Sequence, residues 1–586
     1  MLKSKGKTLL YLKKKKFNVP DLFLFKTNFF LKNKDLVLNK IIKKFNNKKI
    51  AIRSSSIDED TLKTTNAGKF QSFLNVTSSD KKQVSSKIFR TIQSYKKNNK
   101  TNEVIIQKML HDVKFSGVCT TIDIHNFLPV TTINYHKGKD TEIVTSGKKN
   151  SYSISISNIK YINKKHRFHK LFTEVEKLKK IFKTDLLDIE FAIDYKKKTH
   201  ILQVRKLILP KKKKLLDKKF YFQNLKRLEK KIKKLQEKHY ELHGDTNCFG
   251  VMPDWNPAEI IGTKPRPLAL SMYKELITDH IWAKHRNNYG YKDVSSHHLM
   301  TNFFGTPYID VRVDFNSWIP KNLNSIISKK LVNFYLKKFK KNKNYHDKIE
   351  FKILFTCFTP NTANRLENEL NKTFDKKEIL KIKNSLKIIT RNTIDNMKVD
   401  SIKIEKLEKK FYELSKSKIN NINKIYYLME ECKKDGTLAF AGLARCGFVA
   451  VDILNSLVDK NVLSISEKNN FLNSISNIAT KVNNDFLNLS KKKFCEINGH
   501  LRPNTYDIVT LNYKEGYNIY FTNKKKFLNI NNNFFFSAKQ KLYINDFIKN
   551  NGLKLNLNKF ISFLKDSIYL REYSKFIFTK YINLIF

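Results

Sequence analysis

Short apolar runs alternate with polar segments through the first third of the chain. Five of these runs have the β-branched, alternating character of strands, and they lie at residues 49–53, 103–107, 117–120, 189–193 and 200–204. Between them, the segments 81–97 and 171–182 space apolar residues at helical intervals. We therefore predict an α/β domain over residues 1–206.

The pattern changes after this domain. Residues 207–243 contain a run of four lysines at 211–214 and continue as a charged, helix-periodic segment, which predicts a basic helical linker. From residue 244 to 586 the chain is rich in long amphipathic stretches, such as 376–394 and 402–414. The predicted fold class is an α/β N-terminal domain followed by a mainly α-helical domain.

Composition narrows the class of protein. The chain has 586 residues, of which 41% are hydrophobic, so packed cores are expected and disorder of the whole chain is excluded. With 114 Lys+Arg against 53 Asp+Glu, the formal net charge is +61, and such an excess can bind phosphates of nucleic acids. The lysines, however, are spread along the whole chain together with Asn, Ile and Phe. This favours an A/T-rich coding bias, and nucleic acid is not expected as the main partner.

The cysteines and apolar segments indicate the compartment. The six cysteines are scattered without a CxxC pair, which excludes a disulfide scaffold and fits reduced thiols. No run of 18 or more apolar residues is present, and residues 9–12 form too short an apolar stretch for a signal peptide. A cytoplasmic protein with no membrane partner is expected.

The first candidate site lies at the end of a predicted strand. Residues 51–60 read AIRSSSIDED, and residues 66–76 read NAGKFQSFLNV. Arg53 and the serines that follow it would place a guanidinium and small donors at the strand tip, while Gly68 would let the backbone approach an anion closely. This arrangement predicts a phosphate pocket. Taken alone, the segment also fits a surface loop with an N-cap serine.

The second candidate site is a predicted β-hairpin, DIEFAID at 188–194 and ILQVR at 201–205. Side chains alternate along a strand, so Asp188 and Glu190 should lie on one face. Two carboxylates and the Gln203 amide beside Arg205 suit Mg²⁺ and a polyphosphate, because magnesium prefers hard oxygen ligands. The alternative is a half-polar edge hairpin with a surface salt bridge.

Three ordered segments, AIRSSSIDED…AGKFQSFLNV, VIIQKML…SGVCTTID and DIEFAID…ILQVRKL, resemble the ATP-binding domain of the phosphoenolpyruvate synthase and pyruvate phosphate dikinase family. The resemblance implies an ATP-grasp fold with a shortened first subdomain, and ATP and Mg²⁺ as cofactors. It implies that Arg53 and Arg205 are catalytic residues that contact phosphate, and that residues Gln107 to Met109 form the adenine hinge. The segment Ser4-Lys5-Gly6 is similar to the family's Gly-Lys-Gly element. The implied cofactor-binding residues are Lys5, Arg53, Gly68, Gln107, Met109, Asp188, Glu190, Gln203 and Arg205, with Glu190 and Gln203 at the metal.

The second half resembles the segment that follows the ATP domain in phosphoenolpyruvate-synthase-like proteins and rifampicin phosphotransferases. The resemblance rests on DWNPAEIIG at 254–262, PLALSMY at 267–273, TLAFAGLAR at 437–445 and GHLRPNTYD at 499–507. In those phosphotransferases a mostly helical domain binds the acceptor. The resemblance therefore implies acceptor-binding roles for Arg445, His500 and Arg502. A capping or core role for His500 remains the alternative.

Members of the family pass a phosphoryl group through a histidine on a swivelling domain, and no segment here resembles that domain. The Ser296-His297-His298 sequence lacks its flanking glycines and alanine, and we interpret it as unrelated. The resemblance thus implies an ATP-dependent phosphotransferase portion that needs a phosphohistidine domain from a separate polypeptide. The acceptor is an unknown small molecule: pyruvate, an antibiotic-like alcohol and a polymer-biosynthesis intermediate all remain open. A catalytically inactive ATP-binding or regulatory protein, or a decayed fragment, is the alternative.

Overall fold

The computed structural model describes residues 4–55, 60–61, 64–65, 71–95, 102–124, 127–138, 152–157, 163–208, 216–522 and 533–586. The chain divides into two compact units, Met1–Arg227 and Leu228–Phe586. The division falls within a helix, Lys218–Gln236, that occupies the predicted linker. The domain limits at residues 206 and 244 stay predictions.

The first unit mixes helices and antiparallel strands. Its helices are α1 (Lys5–Lys14), α2 (Thr27–Lys32), α3 (Lys34–Phe45), α4 (Lys81–Gln93), α5 (His169–Phe182) and α6 (Lys218–Gln236), the last continuing into the second unit. Its strands are β1 (Leu22–Lys26), β2 (Lys49–Ser55), β3 (Asp60–Thr61), β4 (Thr64–Thr65), β5 (Phe73–Thr77), β6 (Glu103–Lys108), β7 (Val113–Thr120), β8 (Thr131–Lys137), β9 (Tyr152–Ile156), β10 (Leu187–Asp194) and β11 (Thr199–Lys206). All five predicted strands are present.

Two antiparallel sheets organise this unit. The first has the strand order β1-β6-β2-β5, and the second has the order β11-β10-β7-β8-β9. Apolar residues of α3 and α4 cover the first sheet, with Ile41 and Ile88 fully buried against Ile52 of β2. Leu171 and Val175 of α5 do the same for the second sheet. The second of these clusters of buried residues also includes Leu22 of β1 and Ile105 of β6, so it packs against both sheets.

The second unit is mostly helical. Its helices are α7 (Pro257–Ile260), α8 (Pro267–Tyr273), α9 (Ile281–Tyr289), α10 (Val311–Ser317), α11 (Ser325–Lys341), α12 (Ile349–Lys352), α13 (Thr362–Leu370), α14 (Lys376–Lys416), α15 (Asn421–Glu431), α16 (Leu438–Asp459), α17 (Ile465–Asn473), α18 (Ile478–Asn488), α19 (Lys491–Asn498), α20 (Tyr517–Tyr520), α21 (Ala538–Asn550) and α22 (Leu557–Ile585). A small sheet has the order β12-β14-β13, from Phe249–Gly250, Thr306–Asp310 and Met300–Phe303. The predicted fold class, α/β followed by mainly helical, is confirmed.

Three long helices form the centre of the second unit: α14, α16 and α22 contact one another. The stretches 376–394 and 402–414 are parts of a single helix of 41 residues, which a capping box of Asp375 and Glu378 begins. Within the described residues, one segment, Asn421–Asp459, is long and apolar enough to cross a membrane. In its most apolar window, 67% is buried inside the protein, as expected for a segment that includes the core helix α16.

Candidate functional site

The two sheets of the first unit meet at an ion pair. Arg53, on β2 of the first sheet, donates from Nη2 to Glu190 Oε2, on β10 of the second, over 2.7 Å. Its Nη1 donates to the Leu202 carbonyl oxygen at 3.4 Å and lies 3.5 Å from Gln107 Oε1. The predicted phosphate-pocket arginine and the predicted metal carboxylate are therefore in direct contact.

A β-bulge creates one of these contacts. Glu190 pairs with Gln203 across the β10–β11 hairpin, but the next residue, Phe191, pairs with Ile201. Leu202 is the extra residue of β11, so the strand bends there. The carbonyl of Leu202 accepts a hydrogen bond from the guanidinium across the site.

Asp188 lies on the same face of β10 as Glu190, as predicted. It is directly opposite Arg205, which donates from Nε to Asp188 Oδ2 over 2.6 Å. Burial raises the pKa of Asp188, while the positive charge of Arg205 opposes that rise. The cross-strand pair keeps Arg205 at the site edge.

Glu190 is surrounded by cations. Burial on its own would raise its pKa, but Arg53, then Lys5 and more weakly Arg205, hold the pKa of Glu190 down to about 2. Lys5, the first residue of α1, is thus close enough to act on the same carboxylate as Arg53. Three cations, Lys5, Arg53 and Arg205, thus lie around two carboxylates, Asp188 and Glu190, which suits an anionic ligand.

Three buried polar atoms around the ion pair have no hydrogen-bond partner among the described residues: Asp188 Oδ1, Gln203 Oε1 and Gln107 Nε2. An unpaired buried polar atom costs about 1–3 kcal/mol, so such a cluster indicates ligand contacts. The carboxylate and amide oxygens fit Mg²⁺. The described residues contain no group of three or more His, Cys, Asp or Glu that could hold a metal by themselves, so phosphate oxygens would complete the ligand set.

Two predicted residues of this site remain, Met109 and Gly68. Met109 follows β6, is half-buried, and donates its N–H to the Lys49 carbonyl oxygen over 2.9 Å. Gly68 lies outside the described residues.

The second unit contains a cavity of about 810 Å³. Three of the motifs quoted from the second half of the sequence contribute to its wall, through residues 254–256 and 259–260, 440–441 and 444–445, and 503–506. Aromatic side chains make up much of the lining: Trp255, Trp318, Phe351, Phe440, Phe448 and Phe578. The motifs that are far apart in sequence therefore converge on one concave surface.

Two buried arginines of the cavity wall are neutralised by the protein itself. Arg286 Nη2 donates to Asp254 Oδ2 over 2.6 Å, and Nη1 donates to Asp314 Oδ1 over 3.1 Å. Arg445 Nη1 donates to Glu350 Oε2 over 2.6 Å. Both guanidinium groups lie over the Trp318 ring, at 3.8 and 4.8 Å from its centre. These arginines hold the wall together by charge and stacking.

The three predicted acceptor residues are not brought to one cavity. Arg445 lines the cavity of 810 Å³, whereas Arg502 lines a second one of about 660 Å³. Arg502 donates to the carbonyl oxygens of Asp507 and Thr510 and to Asn583 Oδ1, contacts that hold its own loop. His500 is not among the residues described as lining either of these two cavities.

His500 packs as a buried histidine. Its Nε2 lies 3.2 Å from the Phe576 carbonyl oxygen, and its ring meets the Phe576 ring edge to face. Burial, together with the charge of Lys580, lowers the pKa of His500 to about 3, so the ring is neutral at physiological pH. The two histidines of the Ser296-His297-His298 sequence each have an acidic neighbour: His297 lies 3.1 Å from Glu241, and His298 lies 3.3 Å from Asp279.

Sequence reasoning missed residues whose role depends on distant contacts. Arg286 and Asp314 are buried partners with no motif around them. Trp255 and Asn256, within a quoted motif, both have positive φ, at 49° and 40°. A β-branched or bulky residue at positive φ is strained, and such strain collects at functional sites. The Trp255-Asn256-Pro257 sequence was the signal that could have pointed to this strained position.

Comparisons with known proteins bear on the first unit. The family described as pyruvate phosphate dikinase, AMP/ATP-binding domain, matches residues 35–166. No curated protein matches the chain. Among solved structures, D-alanyl-alanine synthetase A from Vibrio cholerae O1 biovar eltor str. N16961 is similar at 11% identity, over 34% of this chain and 54% of that chain, with a TM-score of 0.23. The alignment thus spans about half the length of that structure. The predicted resemblance of the first unit to the dikinase ATP-binding domain is confirmed by the family match.

Proposed function

Starting from the match of residues 35–166 to a dikinase AMP/ATP-binding family, we propose that the protein is an ATP-dependent phosphotransferase of the phosphoenolpyruvate synthase and dikinase type. It supplies the ATP-binding and acceptor-binding portion and receives a phosphohistidine domain from another polypeptide. The observation that carries the proposal is the convergence of Lys5, Arg53 and Arg205 on the carboxylates of Asp188 and Glu190.

The charges of this site match what phosphoryl transfer needs. The transferred group spreads negative charge over its oxygens, so catalysis is mainly positioning and electrostatic stabilisation. Arg53 and Arg205 bind phosphate oxygens, and Lys5 adds a third cation on the side of Glu190. Gln107 and Met109 contact the adenine. An incoming histidine forms the N–P bond as the P–O bond to the rest of the nucleotide breaks.

Mg²⁺ is the metal that the oxygen donors favour. Glu190 and Gln203 would hold it, with Asp188 supporting the site from the next position on the same face. Bound there, the ion neutralises phosphate charge. Glu190 is ionised at physiological pH, since its pKa is about 2, so it is available as a ligand without first losing a proton.

The acceptor belongs to the second unit in this proposal. Its aromatic-walled cavity of about 810 Å³ falls within the usual size of small-molecule sites. Because Arg445 is already paired with Glu350, its role is to shape the wall. Polar groups that face the cavity and have no partner in the described chain, such as the buried Tyr506 hydroxyl, are better suited to contact the acceptor. The protein is proposed to act in the cytoplasm.

The test is phosphohistidine formation in trans. The full chain is mixed with radiolabelled Mg·ATP and a separately produced swivelling domain, taken from a phosphoenolpyruvate synthase or encoded beside this chain. We expect acid-labile, alkali-stable label on that domain's histidine. Label should be absent with Arg53→Ala and with a swivelling domain whose histidine is changed to alanine. A chain that binds Mg·ATP yet never labels either domain would contradict the transferase and favour an inactive or regulatory ATP-binding protein.

A further inference from the structure

The start of helix α1 is fastened to the first sheet on both sides of Lys5. Ser4 donates from Oγ to Glu103 Oε2 over 2.7 Å, and Lys7 Nζ lies 3.2 Å from Glu103 Oε1. Between them, the Gly6 N–H donates to Ser55 Oγ over 3.0 Å. Both oxygens of one buried carboxylate are therefore used by residues that flank Lys5.

Glu103 also fixes the end of β2, the strand that carries Arg53. The Ser55 N–H donates to the Tyr95 hydroxyl over 3.1 Å, and that hydroxyl donates to the Glu103 carbonyl oxygen over 2.6 Å. In the β2–β6 ladder, Ser55 is directly opposite Glu103 and Arg53 is opposite Ile105. Ser55 and Glu103 are almost completely buried, at 0% and 3% exposure, so water does not compete for these bonds.

In the contacts described for it, Glu103 joins the side chains of Ser4, Lys7 and Tyr95, and not the arginines or carboxylates of the nucleotide site. Its effect passes through Lys5, whose ammonium acts on Glu190, the carboxylate that is bonded to Arg53. A lysine side chain has a flexible four-carbon stem, and fixing its backbone on both sides reduces the number of positions that it samples. A cation that is held in place loses less conformational entropy when a phosphate binds.

We propose that Glu103 is a positioning residue for the nucleotide: it holds the start of α1 against β2 and β6 so that Lys5 reaches the phosphates. The inference rests on the proposed function, because it assumes that the polyphosphate of ATP occupies the site of Lys5 and Arg53. It goes beyond that function by assigning a role to Glu103, Ser4 and the N-terminal helix.

The experiment is a double-mutant cycle on Mg·ATP affinity in the full chain, using Glu103→Gln, Lys5→Met and the double variant. We expect each single change to weaken Mg·ATP binding by about fivefold or more. In the Lys5→Met background, Glu103→Gln should have almost no further effect, since residues that act through each other are not additive. Equal losses from Glu103→Gln in both backgrounds would show a merely structural role and overturn the proposal.

Two controls keep the test decisive. Ser4→Ala removes one hydrogen bond from the same carboxylate and leaves the ion pair with Lys7, so it replaces Glu103→Gln if that variant does not fold. Adenosine affinity should be the same in all variants, because adenosine has no phosphate for Lys5 to bind. If the unchanged protein binds no Mg·ATP, the proposed function itself fails. If the unchanged protein binds Mg·ATP and the Lys5→Met variant binds it equally well, only the positioning proposal fails. The same holds if the Glu103→Gln and Ser4→Ala variants both bind Mg·ATP as well as the unchanged protein.

Discussion

The proposed nucleotide site of the first unit and the cavity of the second unit use arginine in opposite ways. In the first unit, one carboxylate, Glu190, is acted on by Lys5, Arg53 and Arg205, and its pKa is held at about 2 despite burial. In the second unit, one guanidinium, Arg286, is shared by Asp254 and Asp314, and burial together with Asp254 raises the pKa of Asp314 well above its usual value. In the first arrangement several cations act on one carboxylate, and in the second one cation is shared by two carboxylates.

This difference separates arginines that can bind an anionic ligand from arginines that stabilise the folded protein. A buried arginine with two carboxylates has no charge left to offer, and its removal leaves unpaired charges inside the protein. An arginine that shares one carboxylate with other cations can also contact an anion. The surroundings of Arg53 therefore support the proposed phosphate site, while Arg445 stabilises the wall of the cavity in the second unit.

The largest expected effect is on stability in the second unit. Arg286→Ala should lower the free energy of unfolding by about 3–5 kcal/mol, because it leaves Asp254 and Asp314 buried without their partner. Chemical denaturation of the full chain measures this. Arg266→Ala, a largely exposed arginine 3.8 Å from Asp507, is the matched control and should cost less than about 0.5 kcal/mol. Equal, small losses for both variants would remove the distinction between the two regions.

Acid should act on the first unit through Glu190. Its pKa in the folded protein lies below the ordinary value, so the ion pair contributes stability that is complete above about pH 4.5 and is lost as the pH falls through about 2. The contribution is of the order of 3 kcal/mol. Unfolding experiments between pH 5 and 2 should show a shallower loss of stability in Glu190→Gln than in the unchanged protein. Parallel curves would mean that the carboxylate is not held by these cations.

The same carboxylate should matter for the metal. Glu190→Gln is expected to weaken Mg·ATP binding by about tenfold, because a neutral amide is a poorer magnesium ligand than a carboxylate. Isothermal titration at neutral pH measures the affinity. Asp194→Asn changes a carboxylate at the far end of the same strand, where its partner is His200, and should leave the affinity unchanged. A tenfold loss in the control as well would indicate that the hairpin as a whole was disturbed.

The smallest effect is expected at His500. His500→Gln should cost about 1 kcal/mol of stability through the contact with the Phe576 carbonyl. The folded ring is neutral because its pKa is lowered to about 3, whereas the unfolded histidine takes up a proton near its ordinary pKa of 6.5, so the cost of His500→Gln should be largest near pH 8 and should shrink towards pH 5. Thermal unfolding across that range, with Mg·ATP affinity as a second readout, checks both points. A cost that stays constant from pH 8 to pH 5 would show that the pKa of His500 is not lowered in the folded protein, as for a histidine that can carry charge at an acceptor site.

Local pattern was enough to predict five strands of the first unit (β2, β6, β7, β10 and β11) and the facing positions on the β10–β11 hairpin, but not the other strands of that unit. Alternation placed Asp188 and Glu190 on one face, and the structure has them there. Helical periodicity found the two halves of α14 but not their continuity over 41 residues, because the polar residues between them weaken the apolar stripe. The fold class needed only these local signals.

The contacts that distinguish the two regions could not be predicted in this way. Arg53 meets Glu190 from 137 positions away, and Ser4 meets Glu103 from 99 positions away. Period and propensity describe one element at a time and carry no information on which elements meet. The bulge at Leu202 is similar: one extra residue in a regular alternating strand turns a carbonyl toward Arg53, and nothing in the ILQVR sequence marks it.

The most direct measurement is thermal unfolding of the full chain with and without Mg·ATP, for the unchanged protein and for Arg53→Ala. A ligand at about 100 times its dissociation constant adds about 2.7 kcal/mol to the protein that binds it. We predict a rise in melting temperature that Arg53→Ala abolishes. No rise in the unchanged protein, or the same rise in Arg53→Ala, would contradict the claim that Lys5, Arg53 and Glu190 form a working nucleotide site.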